Sequence, residues 1–155
     1  MSRVNIYKMQ INKESLLTTL VKERACNYSG SNLTSPDAVY RMMEDVFHMS
    51  DNAEEYCYLL CLNTKNALIG VFELSHGTVN SSQVGMREIF VRSLLCGSTN
   101  IILVHNHPSQ NVSPSTEDLR VTKKLSEGAT LLGLSLLDHI IIGESYYSLK
   151  ENGHM

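Results

Sequence analysis

A run of apolar residues leading straight into two histidines, NIILVHNHP at 100–108, constrains this chain more than any other stretch. NIILV, at 100–104, reads as a buried strand. His105 and His107 stand two apart at its end, and alternate side chains of an extended backbone point the same way, about 7 Å apart along the strand. Two imidazoles so placed can close on one metal ion. Pro108 then ends the strand and denies the ladder a donor, which puts the pair at an exposed mouth rather than in mid-sheet.

A carboxylate arrives ten residues later. A helix beginning near Ser115 would place Glu117, Arg120, Lys124 and Glu127 on one charged face. Asp118 falls on the opposite stripe with Val121, Leu125 and Ala129. A carboxylate on an apolar stripe needs a partner, because burying it bare costs several kcal/mol or forces it neutral. A metal held by His105 and His107 would be such a partner. The competing reading is a helix cap, since Ser115-Thr116-Glu117-Asp118 resembles a capping box with Asp in place of Glu or Gln. His, His and Asp together leave one tetrahedral position open, as in catalytic rather than structural zinc sites. A water bound there would ionise near pH 7. The donor set suits zinc best, with Mn, Fe or Co as alternatives. Other metal motifs fail on particular letters: H-E-x-x-H and the P-C-x-x-C of zinc deaminases are both missing.

The remaining segments interleave helices and strands. Glu14–Arg24 reads as a short helix, and CNYSGSNLTSPD, at 26–37, as a joint. Ser35 is a good N-cap with Pro36 at the first helical position, and Val39, Met42, Met43, Val46 and Phe47 follow with helical spacing. YCYLLCL at 56–62 and ALIGVFEL at 67–74 form a hairpin around the turn Asn63–Asn66. A helix covers roughly 84–96 with Gly97 as its stop, and LSLLDHIII at 134–142 is a last long strand. The pattern is that of a layered α/β domain with a mixed sheet between helices. It divides into an N-terminal helical extension at 1–34, the main domain at 35–150 and a tail at 151–155.

Composition bounds the class. With 155 residues, 43% hydrophobic and 19% charged, the chain holds enough apolar material for one core. The formal net charge of −3 offers no basic excess for gripping nucleic acid. The first residues lack a signal peptide, no apolar run could span a bilayer, and Cys26, Cys57, Cys61 and Cys96 form no framework. The expected place is the cytoplasm, without membrane association.

The motif HNHPS…PSTED fits the H-x-H-P-x(6)-S-x-x-D pattern of the JAMM (JAB/MPN-plus) metalloproteases. With GTVNSS at 77–82, REIF at 87–90, IILVHNHPS and LLDHIIIG at 136–143, the chain more closely resembles the RadC-like bacterial branch over roughly residues 35–150. The resemblance implies the JAB/MPN fold, related in shape to cytidine deaminases, and one zinc ion per chain held by His105, His107 and Asp118. It implies that Ser115 helps to stabilise an oxyanion and that a glutamate near an early strand is the catalytic base. Glu54, Glu55 and Glu73 compete for that role. Glu55 immediately precedes the first strand, as in the RadC-like pattern, and is chosen, with Glu73 as the fallback. Two departures stand out: Gln110-Asn111 replaces the family's Gly-Asp, and the first 34 residues are too short for a helix-hairpin-helix module.

The expected activity is hydrolysis of a peptide or isopeptide amide of unknown identity. A non-catalytic MPN-type scaffold is the alternative, against which the intact triad argues. A DNA-processing role follows only from family association. Phosphoester hydrolysis commonly uses two metals about 3.5–4 Å apart, and the sequence shows one ligand set. His139 reads as a packed or hydrogen-bonded strand histidine, not a fourth ligand. Asp138 reads either as a group hydrogen-bonded to a ligand histidine or as an ordinary turn or edge contact.

Overall fold

β3 (Tyr56–Leu62) and β5 (Asn100–Asn106) are apolar on both faces, and the rest of the protein is built to cover them. In the computed structural model, residues 2–30, 33–77 and 84–155 are described. GTVNSS therefore lies, apart from Gly77, outside the described residues. Among the described residues, β1 (Ser2–Ile11), β2 (Thr18–Tyr28), β4 (Leu68–His76), β6 (Ser135–Ile142) and β7 (Tyr146–Ser148) complete one sheet of order β2-β1-β4-β3-β5-β6-β7. The β1–β4 and β5–β6 pairs are parallel and the others antiparallel, so the sheet is mixed.

Alternation sorts the side chains into two cores. Tyr58, Leu60, Leu62, Ile102, Val104, Ile140 and Ile142 face α1 (Pro36–Phe47), which contributes Val39, Met42, Met43 and Phe47. Cys57, Leu59, Cys61, Ile101 and Leu103 face α2 (Met86–Leu95) and α3 (Thr116–Leu131), which contribute Ile89, Val121, Leu125 and Ala129. The caps are those the sequence suggests. Ser35 Oγ accepts the Ala38 N–H at the start of α1, and Gly97 takes φ +66° after α2.

The N-terminal reading is corrected. Residues 14–24 are not helical: β1 and β2 form an antiparallel hairpin that joins the sheet beside β4. The Leu16, Leu17, Leu20 spacing imitates a helix face, yet Leu16 and Leu17 are 77% and 66% exposed and bury nothing. Val4 and Ile6, two apart, fill the core from β1, and Thr18, Thr19 and Val21 favour the extended chain of β2. Asn12 closes the turn, its Oδ1 accepting the Glu14 and Ser15 N–H groups. At three residues, β7 is too brief to leave a periodic signal in the sequence.

Candidate metal centre

β5 carries His105 to the rim of the sheet on the α3 side, where its register partner is Cys57. His107 follows beyond the strand end, anchored by its N–H to the Ile142 carbonyl at 2.8 Å. The first turn of α3 lowers Asp118 onto the pair. Asp118 Oδ1 lies 3.2 Å from His105 Nε2, Asp118 Oδ2 lies 3.5 Å from His107 Nε2, and the two Nε2 atoms are 3.0 Å apart. Asp118 is only 2% exposed, and the stripe of Val121, Leu125 and Ala129 is buried beside it.

The capping reading of Asp118 is borne out, and it is compatible with a metal-facing carboxylate. Ser115 Oγ accepts the Asp118 N–H at 3.1 Å, and Asp118 Oδ2 accepts the Ser115 N–H and hydroxyl, each at 2.7 Å, so the capping box is closed. The cap thereby aims the carboxylate at the histidines. Burial works to raise the Asp118 carboxyl, but hydrogen bonds from His105 and His107, with that of Ser115, outweigh it and hold the group well below the usual carboxylate range. The same contact with Asp118 raises His107 above its ordinary value against the effect of burial, and the Asn111 carbonyl and Glu55 add to the rise. His107 Nδ1 donates to that Asn111 carbonyl at 2.7 Å. Gln110, standing where the family pattern has glycine, adopts φ +65° and sends its Nε2 to the Ser50 carbonyl at 3.0 Å.

The competing glutamates separate by face. Glu73 pairs with Tyr58, whose side chain belongs to the α1 core, and it accepts a 2.6 Å hydrogen bond from His76 on that exposed edge. Glu55 stands two residues before Cys57, half-buried. The Cys57 thiol is pushed up first by burial and then by the charges of Glu55 and Asp118. Glu54 instead lies against Gly77. Asn106, between the two histidines, was not singled out in the sequence. Its Oδ1 accepts the Tyr56 N–H at 2.7 Å and its Nδ2 donates to the Glu54 carbonyl at 3.0 Å. It thus clamps the backbone on both sides of Glu55 to the strand that carries His105.

Asp138 does not touch a ligand histidine. It pairs in register with Ile102 and faces the α1 core, where it accepts from Ser148 Oγ and the His139 and Lys150 N–H groups at 2.6, 2.8 and 3.1 Å. His139 is the neighbour that reaches the site, because adjacent strand residues face opposite ways. It is 1% exposed, its Nε2 lies 2.8 Å from His105 Nδ1, and burial, with the nearby His105, drives its proton affinity far down.

The family model of the RadC-like JAB domain matches residues 33–154. This chain belongs to the RadC-like JAB family. It is 47% identical over 125 residues to a UPF0758 protein of Alkaliphilus metalliredigens, covering 79% of this chain and 53% of that protein. The corresponding figures are 43% over 129 residues, 82% and 55%, for a UPF0758 protein of Clostridium acetobutylicum. For one from Methanosarcina barkeri they are 46% over 120 residues, 77% and 52%. The chain spans about half the length of the curated relatives it matches. The α/β fold with its mixed sheet is that of the JAB family.

His105, His107 and Asp118 could hold a metal ion. Tetrahedral ligation with bonds of about 2.0–2.1 Å needs donor atoms about 3.3–3.4 Å apart, and His105 Nε2 lies near that distance from both His107 Nε2, at 3.0 Å, and Asp118 Oδ1, at 3.2 Å. Among the described residues no helix is long and apolar enough to cross a membrane.

Proposed function

We propose that the protein is a zinc-dependent hydrolase of the JAMM type that cleaves a peptide or isopeptide amide. One observation carries the reading: three ligand atoms converge at the rim of the sheet, and the segment bearing Glu55 is clamped against the same strand. His105, His107 and Asp118 would hold the ion. When bound, zinc would lower the pKa of a water ligand to about 7 and polarise the scissile carbonyl.

The other steps belong to the chain. Glu55 receives the proton of the attacking water and delivers it to the leaving nitrogen. Its half-buried position at the rim supports proton exchange with both substrate and solvent. Ser115 stabilises the developing oxyanion; its hydroxyl, donated to Asp118 in the structure, turns toward the substrate oxygen for that step. Asn106 holds the backbone on both sides of Glu55 against the end of β5. The four cysteines are free, which supports a reducing, cytoplasmic setting. The net charge of −3 supports an amide rather than a nucleic-acid substrate.

The test is a screen of isopeptide-linked and short peptide amides with zinc-loaded protein, wild type beside Glu55→Gln. The reading predicts turnover in the wild type and retained zinc without turnover in the variant. Full activity in Glu55→Gln would remove Glu55 from the mechanism. Failure of the wild type to bind zinc would remove the activity altogether.

A further inference from the structure

Behind His105 runs a hydrogen-bond chain that ends on the backbone of the helix carrying Asp118. His139 on β6 is the register partner of Leu103, two residues before His105 and on the same face of the sheet. Its Nε2 lies 2.8 Å from His105 Nδ1 and its Nδ1 lies 2.6 Å from Thr122 Oγ1. Thr122 Oγ1 in turn lies 2.7 Å from the Asp118 carbonyl oxygen, one helical turn back. His105, His139 and Thr122 are 3%, 1% and 1% exposed, so solvent supplies no competing partner.

Counting protons fixes the direction of this chain. Two oxygens 2.7 Å apart require a proton between them, and a carbonyl has none, so the single Thr122 hydroxyl proton lies there. The proton between Thr122 and His139 is therefore on His139 Nδ1. A neutral imidazole carries one proton, which leaves His139 Nε2 bare. The proton between the two rings must then belong to His105 Nδ1, and in the neutral ring His105 Nε2 is left as a lone pair. His107 reaches the same state independently, since only its own Nδ1 proton can lie on the 2.7 Å contact with the Asn111 carbonyl. With both rings neutral, the two Nε2 lone pairs and the Asp118 carboxylate face one position, and a proton taken up there is one that a metal ion would displace.

We propose that Thr122 and His139 are positioning residues that hold His105 in the Nδ1-protonated tautomer and so direct its Nε2 lone pair to the metal position. The consequence for metal binding rests on the reading of the triad given above; the tautomer itself is a property of the chain alone. Thr122 works through its hydroxyl and His139 through both ring nitrogens, and neither ligates. Without the Thr122 hydroxyl, His139 keeps its proton on Nε2, donates to His105 Nδ1, and His105 must carry its proton on the nitrogen that should bind metal.

The experiment uses the full chain as wild type, Thr122→Val and Thr122→Ser. Nitrogen-15 NMR of the metal-free protein, at a pH where the rings are neutral, reads the tautomer of His105. Wild type and Thr122→Ser are expected to be protonated at Nδ1, and Thr122→Val at Nε2. A competition titration with Zn(II) against a chromogenic chelator should find Thr122→Val about 10–100-fold weaker than wild type, with Thr122→Ser restoring the affinity. His105 protonated at Nε2 in the wild type, or Thr122→Val binding zinc as tightly as the wild type, would overturn the proposal. A wild type that binds no zinc sinks the metal reading instead, and the spectrum still decides the tautomer. If Thr122→Val does not fold, the wild-type spectrum decides alone.

Discussion

The protein buries two aspartates, one on each side of its sheet, and they behave in opposite ways. Asp138, 5% exposed on the α1 side, accepts from neutral donors among the described residues: one hydroxyl and two backbone N–H groups. Burial dominates, and its carboxyl is raised. Asp118, 2% exposed on the α3 side, is drawn strongly down by two imidazoles and its cap. Burial of a carboxylate therefore does not mark a metal centre. Asp138 is satisfied by its surroundings, whereas Asp118 is arranged with two ring nitrogens in a group that could hold a metal ion.

The largest expected effect is at Asp118. Asp118→Asn retains a carbonyl oxygen for the cap but loses the charge, and zinc affinity should fall by more than about a hundredfold, beyond the usual loss for an outer-shell partner. Asp118→Ala should lose the metal and about 1 kcal/mol more of stability with the cap, measurable by denaturant titration of the metal-free forms. Near-native zinc content in either variant would break the contrast with Asp138.

Glu55→Gln comes next. It should hold zinc as the wild type does while turnover falls about 10²–10⁴-fold. Glu73→Gln, on the opposite face, should leave turnover within about twofold of wild type, well short of a general-base effect. Equal losses in the two variants would mean that the sheet face does not choose the base.

The pH dependence separates the two sides further. His107, raised in the metal-free protein, contributes stability that is fully present below the unfolded histidine value of about 6.5. That contribution is lost as pH rises through its higher folded value. Metal must displace the same proton, so zinc-loaded protein should gain stability over this range. Melting curves with chelator and with zinc should slope oppositely, and parallel slopes would contradict the coupling.

The smallest effect belongs to Asp138. Its raised carboxyl means that the folded state holds the proton more tightly, so stability falls as pH rises from the unfolded value of about 3.9 toward the folded one. Asp138→Asn should flatten that slope and leave zinc affinity unchanged. A loss of zinc binding would show that the two faces communicate.

Much of this site is legible because it obeys local rules. The apolar run into His105, the stop at Pro108 and the helical stripe holding Asp118 are set by periods of two and of 3.6 residues. The cap at Ser115 is equally local. What escapes is whatever depends on register between distant segments. Nothing in LLDHIIIG distinguishes the role of Asp138 from that of His139; only the pairing of β6 with β5 sends the histidine toward His105. Asn106 and Thr122 look unremarkable until their partners at Tyr56 and His139 are in place. In the hairpin the leucine spacing competes with β-branched neighbours, and a free sheet edge at β4 resolves the contest in favour of strands.

The most direct test of the central claim is the metal content of tag-free protein by elemental analysis, wild type beside His107→Ala, before and after addition of zinc. The account predicts about one zinc ion per chain in the wild type and none retained in the variant. A wild type that neither carries zinc nor takes it up would contradict it, and would leave the triad as a cap and two histidines without an ion to hold.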